Sequence, residues 1–208
     1  MPVDSSPAGS RIRLVVGLGN PGPEYAATRH NLGFEVLEEL ARSENTAWSV
    51  KTSLGSALAK VSAESEGAVA PHAVHLAKPL TFMNRSGEAV SALAAYFKVR
   101  PEEILVVCDD CDLPIGELRL RPDGGPGTHN GLRSIVEHLR SEDFARLRLG
   151  VGQPPRGLDW SDHVLGEFGE NEKPAIHDLT RRAVLAIKAS FSAPLEKVMN
   201  EFNGRQSA

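Results

Sequence analysis

Short runs of consecutive apolar residues alternate along this chain with stretches in which apolar residues recur every three or four positions. These are the signatures of buried strands and of amphipathic helices. Residues 12–16 read as a strand. Within residues 28–41, Leu32, Val36, Leu37 and Leu40 keep helical spacing, with Thr28 placed as the N-cap. Strand-like segments follow around 55–61 and 73–77, then a helix over 85–97 with Val90, Leu93, Ala94 and Phe97 on one face. Residues 103–107 form a short continuous apolar run, as in a strand covered on both sides. Residues 115–121 and 146–152 alternate apolar with polar, which predicts strands that each expose one face. Between those two, Leu132, Ile135, Val136 and Leu139 define a helix. Ile176, Leu179, Ala183, Val184, Ile187 and Phe191 define a long one near the C-terminus.

Strands and helices mixed in this order predict a single α/β domain, with a mixed, largely parallel central sheet and helices on both faces. A chain of 208 residues can bury one good-sized core. Residues 1–10, MPVDSSPAGS, are small and turn-forming and predict a disordered extension, which leaves 11–204 as the domain. The polar stretch 62–67 is expected to be a hairpin or crossover loop. No apolar run approaches the ~20 residues that cross a bilayer, and residues 14–18 are too short for a signal-peptide core. The expectation is a cytoplasmic protein, and nothing in the pattern demands more than a monomer.

Charge changes the picture in one respect. The net charge of −4, from 23 basic and 27 acidic residues, argues against indiscriminate coating of nucleic acid. Yet Arg119, Arg121, Arg133, Arg140, Arg146 and Arg148 fall within one stretch, a basic region on an acidic background. The two cysteines, Cys108 and Cys111, have redox or zinc spacing but no second ligand pair, and they close an apolar run rather than open a helix. Inert thiols are the expectation.

Four segments carry candidate chemistry. GLGNPG, residues 17–22, satisfies the Gly-x-Gly-x-x-Gly pattern after a strand. Pro21 and Pro23 remove N–H donors that a pyrophosphate would need, and the next helix starts late. The alternative is a loop that presents side chains, with Asn20 at a strand end and His30 in the first turn of the following helix. The positive end of that helix dipole would favour neutral imidazole, the form a general base requires. CDDCDLP, residues 108–114, sets Asp109, Asp110 and Asp112 at a strand end. One of them can accept a hydrogen bond from His30; three could hold Mg²⁺, and at least one is expected to cap a turn. DGGPGTHNG, residues 123–131, combines a glycine loop with His129 and Asn130 in the first turn of a helix, or is a plain loop with Thr128 as N-cap. KPLTFMNRSG, residues 78–87, leads from strand to helix, where Asn84 could simply cap and Phe82 and Met83 could simply be core.

Taken in order, VGLGNPGPEYAATRHNLGF, KPLTFMNRSG, ILVVCDDCDLPIGELRLR and GGPGTHNGLRSI, followed by RLRLGVG, resemble the bacterial-type peptidyl-tRNA hydrolase family. The resemblance implies cleavage of the ester between a peptide and the 3′-terminal ribose of tRNA, without metal or cofactor. It places the catalytic histidine at His30 and its paired aspartate at Asp109. It implies that Asn20, Asn84 and Asn130 arrange peptide and water, with His129 beside them. Phe82 and Met83 would wall the peptide pocket, Tyr25 would border the 3′ end, and Arg121 and Arg148 would clamp tRNA phosphate. Cys108 stands where the family usually has histidine, Cys111 where it has an aliphatic residue, and Pro126 and Thr128 depart from its glycine loop.

Overall fold

The computed structural model describes residues 12–63 and 71–203. The predicted N-terminal extension lies outside the described residues, as do residues 64–67 of the predicted polar loop. The chain folds as β1 (Leu14–Gly17), α1 (Leu32–Ser43), β2 (Ser49–Lys51), β3 (Ser56–Ala63), β4 (His72–Pro79), α2 (Ser86–Phe97), β5 (Ile104–Asp110), β6 (Leu118–Arg121), α3 (Asn130–Leu139), β7 (Ala145–Gly150), α4 (Trp160–Leu165), α5 (Lys173–Ser192) and α6 (Leu195–Phe202). The seven strands form one sheet in the order β2-β3-β4-β1-β5-β7-β6. β1 pairs in parallel with β4 and β5, and β5 with β7, whereas β2, β3 and β6 join antiparallel at the edges. This is the mixed, centrally parallel α/β domain that the alternation of patterns predicts.

Strand alternation sorts the core into two layers. Val15, Leu105, Val107, Leu147 and Leu149 face α1, α5 and α6, while Leu14, Val16, Ile104 and Val106 face α2 and α3. The register Val15↔Leu105 and Val16↔Val106 keeps like-facing residues side by side. Helices α2 and α3 approach so closely that a Cβ on Gly87 would stand 2.0 Å from the Ser134 backbone oxygen. The Gly87 N–H donates to Ser134 Oγ at 3.0 Å at the same crossing. Gly87→Ala should therefore force the helices apart and cost about 1–3 kcal/mol, read as a lower urea midpoint at unchanged slope; an unaltered midpoint would contradict this packing.

Several expectations need correction. β7 does not expose one face: of its two polar positions, Arg146 is 2% exposed and Arg148 is half-buried. The Arg146 guanidinium donates to the carbonyls of Gly124, Gly125, Glu142 and Phe144 and lies 4.3 Å from the Phe144 ring centre. A buried arginine that ties down loop carbonyls reads as a solvent position in a hydropathy pattern. Thr128 does not cap α3; His129 does, accepting from the N–H groups of Gly131 and Leu132. Thr28 precedes a 3-10 turn, Arg29–Asn31, and its hydroxyl donates to the Tyr25 carbonyl instead of capping. Asn84 likewise caps nothing through its side chain, sitting within the 3-10 turn Met83–Arg85.

Three elements are left unassigned by the reading of the sequence. β2 is three exposed residues and α4 only six residues. α6 packs beside β6, where Asn203 holds Leu120 by two bonds, accepting its N–H and donating to its carbonyl. One side chain thus takes the place of a strand partner at the sheet's edge.

Candidate active site

The parallel strands β1, β5 and β7 end on one side of the sheet, the edge at which open α/β folds gather their ligands. A cleft of about 1120 Å³ opens there. Asn20, His30, Phe82, Met83, Asn84, Asp109, Arg121, His129, Asn130 and Arg148 all line it. Tyr25 does not, but its ring meets that of Phe82 edge-on at 6.4 Å, at the cleft's margin.

The loop after β1 is built to fix Asn20. Its backbone N–H donates to Asn31 Oδ1 at 2.8 Å, and Asn31 Nδ2 returns a bond to the Asn20 carbonyl at 3.0 Å. Asn20 Oδ1 accepts from the Met83 N–H at 2.8 Å, joining the β1 loop to the β4 loop. With its oxygen engaged, Asn20 has its NH₂ left as a donor. The same loop speaks against a dinucleotide site: α1 begins only at Leu32, so no helix N-terminus stands behind the glycines. Asn84 and Asn130 are both exposed, and Asn130 Oδ1 accepts a long bond of 3.3 Å from Arg133.

Of the three aspartates, the structure assigns different duties. Asp109 is 3% exposed and its Oδ1 meets His30 Nδ1 at 2.8 Å and His129 Nε2 at 3.1 Å. Asp110 accepts the Asp112 N–H at 2.9 Å, the expected turn cap, and pairs through its other oxygen with Arg148 Nε. Asp112 is exposed.

Proton positions follow from these partners. His129 Nδ1 accepts two backbone N–H groups, so its proton must sit on Nε2, which donates to Asp109. His30 Nδ1 faces the same carboxylate oxygen, and an ionised carboxylate only accepts, so that nitrogen also donates. When His30 is neutral, its lone pair lies on Nε2, which has no hydrogen-bond partner among the described residues. Burial pushes the His30 pKa down, but the charge of Asp109 and its hydrogen bond outweigh burial and raise it above the ordinary 6.5. This corrects the helix-start expectation: the adjacent carboxylate decides the balance, and the residue sits in a 3-10 turn rather than an α-helix. Burial alone would raise the Asp109 pKa, yet the charges of both imidazoles and their hydrogen bonds hold it well below the carboxylate range.

His30, Asp109 and His129 bring three potential metal-ligand atoms within 4.8 Å of one another. The donor set does not favour an ion. His129 Nε2 could ligate only after losing its proton, and Nδ1 cannot take one up while it accepts from Gly131 and Leu132. The cysteines stay protonated near neutral pH. Burial raises the pKa of both thiols, assisted by the neighbouring aspartates, and Cys111 is pushed up to about 12.

Sequence reasoning missed what holds the pieces in place. Arg29 is buried, with a 2.7 Å ion pair to Glu172 and its guanidinium carbon 4.5 Å from the Phe168 ring centre. The Arg29 N–H donates to the Gly166 carbonyl at 3.0 Å, and Thr28 bridges to Glu167. The segment around α4 is thus fastened to the turn that carries His30, and Trp160, Val164 and Leu165 join the cleft wall. The only local signal was an aromatic and aliphatic cluster, LDWSDHVL, in a polar stretch.

Fold and site together define a class: single-domain α/β proteins whose parallel strands deliver a histidine–carboxylate pair and asparagine amides to one open cleft. A family model described as peptidyl-tRNA hydrolase matches residues 14–208. The peptidyl-tRNA hydrolase of Geobacillus kaustophilus (strain HTA426) is 46% identical over 195 residues, covering 92% of this chain and 100% of that protein. That of Bacillus subtilis (strain 168) is 42% identical over 192 residues, covering 92% of this chain and 98% of that protein. The crystal structure of peptidyl-tRNA hydrolase from Acinetobacter baumannii aligns with a TM-score of 0.85 at 37% identity, over 96% of this chain and 98% of that one. The chain belongs to the peptidyl-tRNA hydrolase family, a family of carboxylic ester hydrolases.

Proposed function

We propose that this protein hydrolyses the ester joining a peptide's C-terminal carbonyl to the 3′-terminal ribose of tRNA, with His30 as general base. The observation that carries the reading is the double acceptance at Asp109 Oδ1, which leaves His30 Nε2 as the lone-pair nitrogen in the cleft. His30 takes a proton from water, and the hydroxide formed attacks the ester carbonyl. The carbonyl oxygen becomes an oxyanion, for which the Asn20 NH₂ is a positioned donor. The intermediate collapses, the ribose hydroxyl leaves, and the proton held on His30 Nε2 returns to it. Direct attack by His30 would add a covalent intermediate that water must then open; water attack needs none.

Asn84 and Asn130 are assigned to the peptide backbone beside the ester, with Phe82 and Met83 as apolar wall and Tyr25 at the edge. Amide recognition of this kind favours substrates with an acylated amine. Release of N-acetylated amino acid from labelled tRNA, with EDTA present, tests this. Fast release from the blocked substrate and slow release from free aminoacyl-tRNA is expected; no release from folded protein would overturn the reading.

Arg121 is exposed at the cleft and has no ion pair among the described residues, whereas Arg148 shares its charge with Asp110. We assign Arg121 as the stronger phosphate contact. Arg121→Glu should raise KM roughly tenfold, leave kcat near wild type, and lower the salt dependence by about one counterion. Equal KM and salt slope in the variant would remove Arg121 from the phosphate site.

A further inference from the structure

Trp160 is the part of the cleft wall to which the chemistry above gives no task. It is one of two tryptophans in the chain and 49% exposed. What sets this ring apart from other exposed apolar side chains is its place in the wall of the cleft, where it offers a ligand an apolar face. The segment that carries it is held in place. Trp160 opens α4, where Asp159 accepts the Ser161 N–H at 2.9 Å, and His163 Nε2 bonds the Gly152 carbonyl at 2.9 Å. The links from Gly166, Glu167 and Glu172 to Thr28 and Arg29 then fix this segment to the turn bearing His30.

Its place in the sheet order argues for what it touches. β4 lies on one side of β1, and its following loop supplies Phe82, Met83 and Asn84. β5, β7 and β6 lie on the other side and supply Arg148 and Arg121. The segment carrying Trp160 leaves β7 and returns to the His30 turn, so along the chain it joins the arginine side to the base. A tRNA whose phosphates meet the arginines and whose ester meets His30 must thread its last nucleotide between them.

We propose that Trp160 stacks on the terminal nucleobase of the tRNA 3′ end and thereby holds the ester at His30. The inference rests on the peptidyl-tRNA reading above. The terminal ribose carries both the base and the ester, so fixing the base plane restricts where the ester carbonyl can lie. Phosphate contacts alone give no such restriction, because they grip the backbone without regard to base orientation. An aromatic face supplies it, and Val164 and Leu165 continue the apolar wall beside the indole.

The test uses fluorescence and kinetics together. In a Trp48→Phe background Trp160 is the sole tryptophan; Trp48 lies apart, donating to Glu38. Titration with the trinucleotide CCA should quench its emission saturably, whereas CC should do so weakly. Trp160→Ala should raise KM for N-acetyl-aminoacyl-tRNA by about 5- to 150-fold, the span of base–aromatic stacking, and should lower kcat as well, because a base left unfixed lets the ester carbonyl stray from His30. Trp160→Phe should recover most of the loss and Trp160→Leu little of it, whereas a merely space-filling role would be met by either. Equal quenching by both oligonucleotides, or an unchanged KM in Trp160→Ala, would overturn the proposal. Wild-type protein that releases no acyl group would sink the hydrolase reading instead, while the CCA titration would still decide the stacking.

Discussion

His30→Ala should lower kcat for N-acetyl-aminoacyl-tRNA by about 10²–10⁴-fold or more, the usual worth of a positioned acid–base group. KM should change little, because the arginines and asparagines that hold the substrate are untouched. The fold should survive: Asp109 keeps the bond from His129, and His30 contributes none of the large fully buried apolar side chains. Added imidazole should restore part of the rate, since the vacated space adjoins the open cleft. Steady-state kinetics on protein of wild-type circular dichroism gives the answer. A variant with near-normal kcat would mean that another group activates the water.

Asp109→Asn is expected to have the second largest effect, a loss on the order of 10²–10⁴-fold in kcat with the site's shape preserved. The amide brings an NH₂ group where the carboxylate offered only acceptors. Two imidazole N–H groups now converge on Asp109 Oδ1. An amide turned the other way would favour the His30 tautomer with its proton on Nε2, the nitrogen that must be free. His129 is less exposed to this exchange, because its Nδ1 is committed to the start of α3. Asp109→Asn should therefore damage His30 more than His129, which a comparison of the two imidazole resonances by NMR would check. Full activity in the variant would separate Asp109 from the reaction.

The sequence carries the frame of this molecule well and its fastenings poorly. β1, β5 and the four longer helices announce themselves through uninterrupted apolar runs or helical spacing. Asn20 and Asp109 were legible because each sits at or just past a strand end, where α/β folds place chemistry, and His30 because it stands where the chain enters α1. What hydropathy cannot express is a polar residue buried by its partners. Arg146 reads as a solvent position and instead ties down the glycine loop; Arg29 gives no signal in the pattern, yet it anchors the α4 segment through Glu172. Likewise, three aspartates in CDDCDLP are equivalent on paper. Strand alternation and the Arg148 pair separate them: Asp109 turns inward to the histidines, and Asp110 turns to Arg148. His129 shows the same limit from the other side, since its role as helix cap, which fixes its tautomer, falls to a residue type with weak capping preference.

The most direct test of His30 as base is the pH dependence of kcat/KM for N-acetyl-aminoacyl-tRNA, followed between about pH 5 and 8. The base must be neutral to act, and Asp109 raises its pKa above 6.5. Activity should therefore rise with pH through a midpoint above 6.5. In Asp109→Asn the raising influences are gone and burial remains, so the residual activity should titrate at lower pH than the wild type. A wild-type profile that is flat across this range, or a midpoint that does not fall in Asp109→Asn, would contradict His30 as the base governed by Asp109.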